Sequence, residues 1–309
     1  MTKSTVRGAF TAELLALAKK DRSLYALATD SRGSVTLTAF ADELPSQFVE
    51  CGIAEQDAVG IAAGLANAGL RPFVCGPACF YSMRSAEQVK ADVSYSHMNV
   101  KIIGVSGGVS YGALGSTHHS TQDIALMRAL PGMEVYLPSD AVQMRALTRY
   151  LASSNEPAYV RMGRGPVPEI YTEKDFFTPG KAVKLLDGKD AAVIACGEMV
   201  YWATEAARIL NEKGIHISVY DMFTIKPLDE EAIMEAAGTG FVLTVEEHAV
   251  YGGLGGAVAE VLSQKKPTRM RILGLPDEKV YTGKSEEVFR HYGLDGEGIA
   301  KAVREGLKK

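Results

Sequence analysis

Apolar residues in the first stretch of the chain recur at the helical period, so that Val6, Ala9, Phe10, Leu14, Leu17 and Ala18 share one face. A short turn separates this predicted helix from a continuous apolar run at 24–28, which reads as a buried strand. The alternation then repeats. Residues 47–53 read as a strand, and Ala58, Ile61, Ala62, Leu65 and Ala66 form a helical face ending at Gly69. Strand-like runs follow at 72–75, 100–105, 135–137 and 158–161, with helices expected over 83–95 and 139–153 and an irregular stretch at 29–38. Continuous apolar strands set between helices predict a mostly parallel sheet covered on both faces.

The periodicity stops between Gly163 and Gly180, where Pro166, Pro168 and Pro179 interrupt the chain, and this segment predicts an interdomain linker. Beyond it, strands are expected at 191–195, 215–219, 241–245 and 270–273, with a helical face on Ala203, Ala206, Ala207 and Leu210. A closing helix buries Ile299, Ala302, Val303 and Leu307, and Lys308 and Lys309 suit its carboxyl end. The expected fold class is α/β in two domains, each a mostly parallel sheet covered by helices: residues 1–165, a linker at 166–180, and residues 181–309.

Composition narrows the function. A chain of 309 residues, 47% hydrophobic and 23% charged, is an ordinary globular protein that can bury a sizeable core. Its formal net charge of -4 argues against general binding of nucleic acid or anionic membrane, while leaving room for a local basic pocket. The apolar stretch at 58–70 is broken by glycines and too short to span a bilayer, and the amino terminus lacks the apolar core of a signal peptide. A cytoplasmic protein is expected, with neither nucleic acid nor membrane as partner. Cys51, Cys75, Cys79 and Cys196 form no CxxC pair, so neither a disulfide framework nor a metal site is expected.

Ligands of open parallel sheets bind beyond the carboxyl ends of the strands, which singles out four loops. The first holds Glu55 where a strand hands over to a helix; the residue is either a helix-start acid stabilised by the macrodipole or a chemical group. The second, 76–84, carries Phe80 and Tyr81, which could stack on a flat heterocycle or fill core. The third runs through Gly104, Gly107, Gly108, Gly112 and Gly115 to His118 and His119, ahead of a helix that Gln122 and Asp123 begin. Adjacent histidines do not share a helical face, which argues against a two-histidine metal site and leaves one catalytic or one merely satisfied histidine. In the fourth, Arg161 and Arg164 could clamp a phosphate or hold the linker. The glycines after Glu246, Glu247 and His248 read as a tight strand-to-helix turn, or more remotely as an anion loop.

These pieces, taken in order, resemble the carboxyl-terminal half of transketolase over nearly the whole chain. The resemblance rests on Phe48-Val-Glu-Cys-Gly-Ile-Ala-Glu-Gln56, Arg84-Ser-Ala-Glu-Gln88, Pro138-Ser-Asp140, Asp221-Met-Phe-Thr-Ile-Lys-Pro-Leu-Asp229, Leu243-Thr-Val-Glu-Glu-His248 and Gly252-Gly-Leu-Gly255. It implies a pyrimidine-binding domain followed by a transketolase carboxyl-terminal domain, with thiamine diphosphate as cofactor. The family's Gly-Asp-Gly motif, which holds magnesium and the diphosphate, does not occur in the sequence. The resemblance therefore implies one subunit of a split transketolase, completed by an amino-terminal partner subunit that holds Mg and the diphosphate, in a heterotetramer.

By the same resemblance, Glu55 meets N1′ of the cofactor's aminopyrimidine, where a shared proton promotes the imino tautomer that removes the thiazolium C2 proton. Tyr81 is expected to stack on the pyrimidine, with Phe80 as its substitute, and His118 to face the reacting carbon. Arg7, Ser34 and Arg164 correspond to sugar-phosphate ligands. Ser106 stands where many transketolases have a phosphate-binding histidine. Leu114 replaces an aspartate that contacts a sugar hydroxyl, which points to a non-standard or branched ketose phosphate. The competing expectations are the β subunit of a 2-oxo acid dehydrogenase first component, a deoxyxylulose phosphate synthase-like enzyme, and a non-catalytic stabilising subunit.

Overall fold

The computed structural model describes residues 2–308, so Lys309 lies outside the described residues. The predicted first helix and strand form as Val6–Ala18 and Leu24–Ala28. The first sheet has seven strands in the order Thr224–Lys226, Glu134–Tyr136, Ala158–Met162, Lys101–Val105, Arg71–Pro77, Leu24–Ala28 and Phe48–Glu50. All its pairings are parallel except the outermost, where Thr224–Lys226 runs antiparallel to Glu134–Tyr136. That edge strand comes from the far side of the expected linker, so the second half of the chain closes the first half's sheet.

The linker is more ordered than its prolines suggest. Pro166–Pro168 pairs antiparallel with Lys3–Thr5 in a two-stranded ribbon, an edge position where a missing proline N–H costs nothing. The second sheet orders Arg269–Leu275, Phe241–Ala249, Ala191–Ala195, Ile217–Asp221 and Val183–Leu186, the last an antiparallel edge whose half-exposed residues gave no continuous apolar run. Its helices include Met199–Asn211 and the closing Gly296–Leu307, which buries Ile299, Ala302 and Val303 while Leu307 stays partly exposed. One apolar cluster is continuous across the two sheets, joining Leu27, Val74 and Tyr159 to Ala192, Ile194 and Tyr220. No helix among the described residues is long and apolar enough to cross a membrane, and all four cysteines are free.

Two differences lie beside the strand ends. The expected helix at 83–95 is instead a wide π turn at Phe80–Arg84, one α turn at Ala86–Gln88, and a second π segment at Val89–Tyr95. Such widened turns re-aim side chains and are common near functional sites. The stretch at 29–38, expected to be irregular, leads into a short helix, Thr38–Glu43, anchored by buried Val35, Leu37 and Phe40.

Asp221 shows how the domain junction is held. Its Oδ2 accepts hydrogen bonds from Ser139 Oγ at 2.5 Å, Tyr171 Oη at 2.7 Å and Gln143 Nε2 at 2.9 Å. Burial outweighs these bonds and raises the carboxyl pKa to about 6. The folded state thus keeps a proton that the unfolded chain loses near the ordinary aspartate range, and this contribution to stability is lost as pH rises towards 6. Asp221→Asn is expected to flatten that slope in thermal melts between pH 4 and 7, by up to about 3 kcal/mol from the size of the shift. Parallel wild-type and variant pH profiles would count against the assignment.

Candidate active site

The strand ends of the first sheet bring most of the sequence-predicted residues into one continuous row. Glu55 opens the helix Glu55–Asn67 and is only 3% exposed; its Oε2 accepts a hydrogen bond from Arg84 Nη1 at 2.6 Å. The Arg84 guanidinium lies over the Phe80 ring, 4.2 Å from its centroid. Phe80 meets His118 in a T-shaped contact at 5.3 Å between centroids, and His118 meets Tyr111 at 5.1 Å. Arg164 in turn lies over Tyr111 at 5.1 Å. Arg7 completes the row: its guanidinium pKa is lowered by burial and by the neighbouring Arg164 charge, and its Nη1 donates to the Ser34 carbonyl at 2.5 Å.

The far end of this row is cationic and incompletely satisfied. Arg7 Nε and Arg164 Nη1 are buried with no hydrogen-bond partner among the described residues. The two like charges, each with a buried donor left unpaired, are an arrangement that an anion would satisfy.

Tyr81 does not join the row. Its ring is fully buried, its hydroxyl is 3.3 Å from Thr29 Oγ1, and a Cβ on Gly76 would lie 2.2 Å from it. Tyr81 is packed within the core, whereas its neighbour Phe80 is only partly buried. Of the two aromatics, Phe80 is thus the more exposed and Tyr81 the more deeply packed. Adjacent residues of a helical turn point in different directions, and the apolar pattern alone does not say which one points inward.

The other candidates separate cleanly. His118 takes the open side, its Nδ1 2.9 Å from Thr117 Oγ1, while His119 is buried with Nε2 3.2 Å from the Gly112 carbonyl and a pKa lowered chiefly by burial. Ser106 is buried in the left-handed region at φ +61°, an uncommon conformation for a side-chain residue, and its Oγ has no partner among the described residues. Leu114 stands 55% exposed on the glycine-rich loop. Arg161, by contrast with Arg164, is buried in ion pairs with Asp123 and Glu247 and serves the domain junction.

The glycine turn after Glu246 proves to be structural. Glu246 Oε2 accepts from the Leu254 amide at 2.7 Å and Oε1 from the Gly255 amide at 2.8 Å, so its carboxylate supplies the negative charge that the start of helix Leu254–Lys265 attracts. No cluster of His, Cys, Asp and Glu suited to a metal occurs among the described residues. Arg84 and Tyr111 were not singled out from the sequence as site residues. The available signals were an arginine one wide turn after Phe80 and an aromatic inside a glycine loop.

A buried helix-start acid, a ring beside it and two arginines with unpaired donors thus lie along the carboxyl edge of a parallel sheet, where ligands of such sheets bind. Residues 2–169 match the family described as "Transketolase, pyrimidine binding domain", and residues 180–299 match "Transketolase, C-terminal domain". The chain belongs to the transketolase family and is of the subunit type found in its split members. It is 59% identical over 305 residues to an apulose-4-phosphate transketolase subunit of Phocaeicola vulgatus, covering 98% of this chain and 97% of that one. It is 38% identical to a 6-deoxy-6-sulfo-D-fructose transketolase subunit of Clostridium sp., covering 94% and 91%. A solved structure described as a split gene transketolase, inactive beta4 tetramer, superposes with a TM-score of 0.91 at 37% identity, covering 98% of each chain.

Proposed function

We propose that this chain provides the acid and substrate-phosphate half of a thiamine diphosphate-dependent transketolase, moving a two-carbon ketol unit between sugar phosphates in the cytoplasm. The observation that carries this reading is the single row from Glu55 through Arg84, Phe80, His118 and Tyr111 to Arg164 and Arg7. It sets an acid and a ring at one end and an unneutralised guanidinium pair at the other.

The residues present fit the pyrimidine half of the cofactor. Glu55 is buried yet accepts a hydrogen bond on one oxygen only, and Phe80 offers a ring beside it. When bound, thiamine diphosphate supplies the carbon nucleophile that carries the two-carbon unit. Glu55 would hold and return a proton at the pyrimidine nitrogen, and Phe80 would support the ring by stacking. His118 would orient the reacting end of the sugar, while Arg7 and Arg164, with Ser34, would fix its phosphate. Ser106 and Leu114 would shape the middle of the substrate. The two relatives above act, by name, on unusual sugars, and Leu114 in place of a hydroxyl-binding acid supports a branched or otherwise non-standard ketose phosphate here.

Magnesium and the diphosphate fall to an amino-terminal partner subunit carrying Gly-Asp-Gly, in a heterotetramer. The rim of the site supports a covering chain: Ile53 is 77% exposed beside Glu55, and Met83, next to Arg84, and Leu114 are also exposed. The relatives above carry the transketolase name, which favours ketol transfer over the chemistry of a 2-oxo acid dehydrogenase or a deoxyxylulose phosphate synthase.

The test is calorimetric titration of thiamine diphosphate and Mg into this chain alone and into its mixture with such a partner. Binding is expected only in the mixture, weakened about 2- to 10-fold by Phe80→Ala from the loss of ring stacking and unaffected by Tyr81→Phe. Tight binding to the isolated chain would overturn the split-site reading.

A further inference from the structure

Within the row, Arg84 touches both groups assigned to the aminopyrimidine. Its Nη1 donates to Glu55 Oε2 at 2.6 Å, and its guanidinium carbon lies over the Phe80 ring, 4.2 Å from the centroid. The first contact uses only one oxygen of its partner: Glu55 Oε1 accepts no hydrogen bond among the described residues.

The wide π turn makes this possible. It spans Phe80–Arg84 and places its last residue against the ring of its first, while Tyr81 is turned into the core. The Arg84 side chain remains 45% exposed, so it does not hold the core together. A delocalised, planar cation can bond a carboxylate through its edge and stack through its face at the same time. An ammonium would do the first and not the second.

We propose that Arg84 is a positioning residue, one guanidinium that packs on Phe80 and fixes the rotamer of Glu55 so that Glu55 Oε1 is left to meet the aminopyrimidine. This rests on the reading of the site given above. Arg84 touches neither the phosphate end nor the sugar, so its loss acts on cofactor binding and turnover and leaves recognition of the sugar phosphate to Arg7 and Arg164.

The experiment uses the complex of this chain with its Gly-Asp-Gly partner, comparing wild type, Arg84→Gln, Arg84→Lys and Glu55→Gln. For Arg84→Gln, titration calorimetry is expected to show thiamine diphosphate affinity reduced about tenfold or more. kcat should fall, and KM for the donor sugar phosphate should stay within about twofold, the pattern of lost orientation rather than lost substrate binding. Arg84→Lys should restore part of the affinity, through the ion pair alone. Sizing and thermal melting check that the complex is intact; if Arg84→Gln fails this check, Arg84→Lys against wild type carries the comparison. Wild-type affinity in both Arg84 variants overturns the proposal. Tighter binding also overturns it, because Arg84 would then compete with the cofactor for Glu55. If the wild-type complex itself does not bind thiamine diphosphate, the reading of the site fails; if only Glu55→Gln loses binding, the Arg84 inference fails alone.

Discussion

Glu55→Gln in the assembled enzyme is expected to lower kcat by about 10²- to 10⁴-fold, the range for loss of a positioned acid–base group. The amide keeps the length and shape of the side chain and can still accept the Arg84 hydrogen bond through its oxygen, so the packing of this 3%-exposed group survives. What it loses is the ability to take up and return a proton. Because Arg84 is 45% exposed, the charge left without its partner is screened by water and the fold is little affected. KM for sugar phosphate should change little, since the Arg7 and Arg164 pair lies at the other end of the row. Steady-state assays of ketol transfer with the partner subunit present check this. Turnover within about threefold of wild type would instead favour the non-catalytic, stabilising subunit considered from the sequence.

The parallel strands were legible because each is an uninterrupted apolar run. Ala191–Ala195 and Ala158–Met162 are buried along their whole length, and nothing but a doubly covered sheet needs such segments. Glu55 was legible as a helix-start acid from local rules, and its chemistry only from the motif around it. The edges were hidden: Val183–Leu186 alternates in exposure, Pro166–Pro168 reads as a breaker, and Thr224–Lys226 joins a sheet built by residues far earlier in the chain.

The site itself was half legible. Motif positions supplied Glu55, His118, Arg7, Ser34 and Arg164, and the fold brings them into one row. That Tyr81 packs inward and Phe80 stays partly exposed follows from the wide turn, which has no signature in a 3.6-residue period. The contact of Arg84 with both Glu55 and Phe80 depends on the same turn. Spacing alone left Arg161 and Arg164 alike, and the motif position singled out Arg164; the structure buries Arg161 against Asp123 and Glu247.

Arg161→Met is expected to be the most damaging single substitution for stability. Arg161 Nη2 donates to the Glu247 carbonyl at 2.6 Å, and its Nε lies 3.3 Å from Asp123 Oδ2, which also accepts the Tyr159 hydroxyl at 2.6 Å. Glu247 Oε1 accepts from the Val109 amide at 2.7 Å. Burial raises the carboxyl pKa values of Glu247 and Glu198, and the Arg161 charge counteracts it at both. The guanidinium thus balances acids from both halves of the chain, and removing it from a buried ion cluster costs about 3–5 kcal/mol, roughly 10 °C in Tm. The pH dependence follows from the direction of the shifts. A carboxyl whose folded pKa is raised holds more protons folded than unfolded, so stability falls as pH rises above the ordinary glutamate range. Without Arg161 that fall steepens, and the deficit in Tm should be larger at about pH 8 than at about pH 6. Arg161→Lys should recover only part of the loss, because one ammonium nitrogen cannot take both the Nη2 position at the Glu247 carbonyl and the Nε position beside Asp123. Melting curves of the three proteins at the two pH values decide the matter: a variant within about 2 °C of wild type at both would show that the cluster is not what joins the domains. The same cluster sets the strand end from which Arg164 departs three residues later, so loss of Arg161 should also loosen the phosphate end of the row.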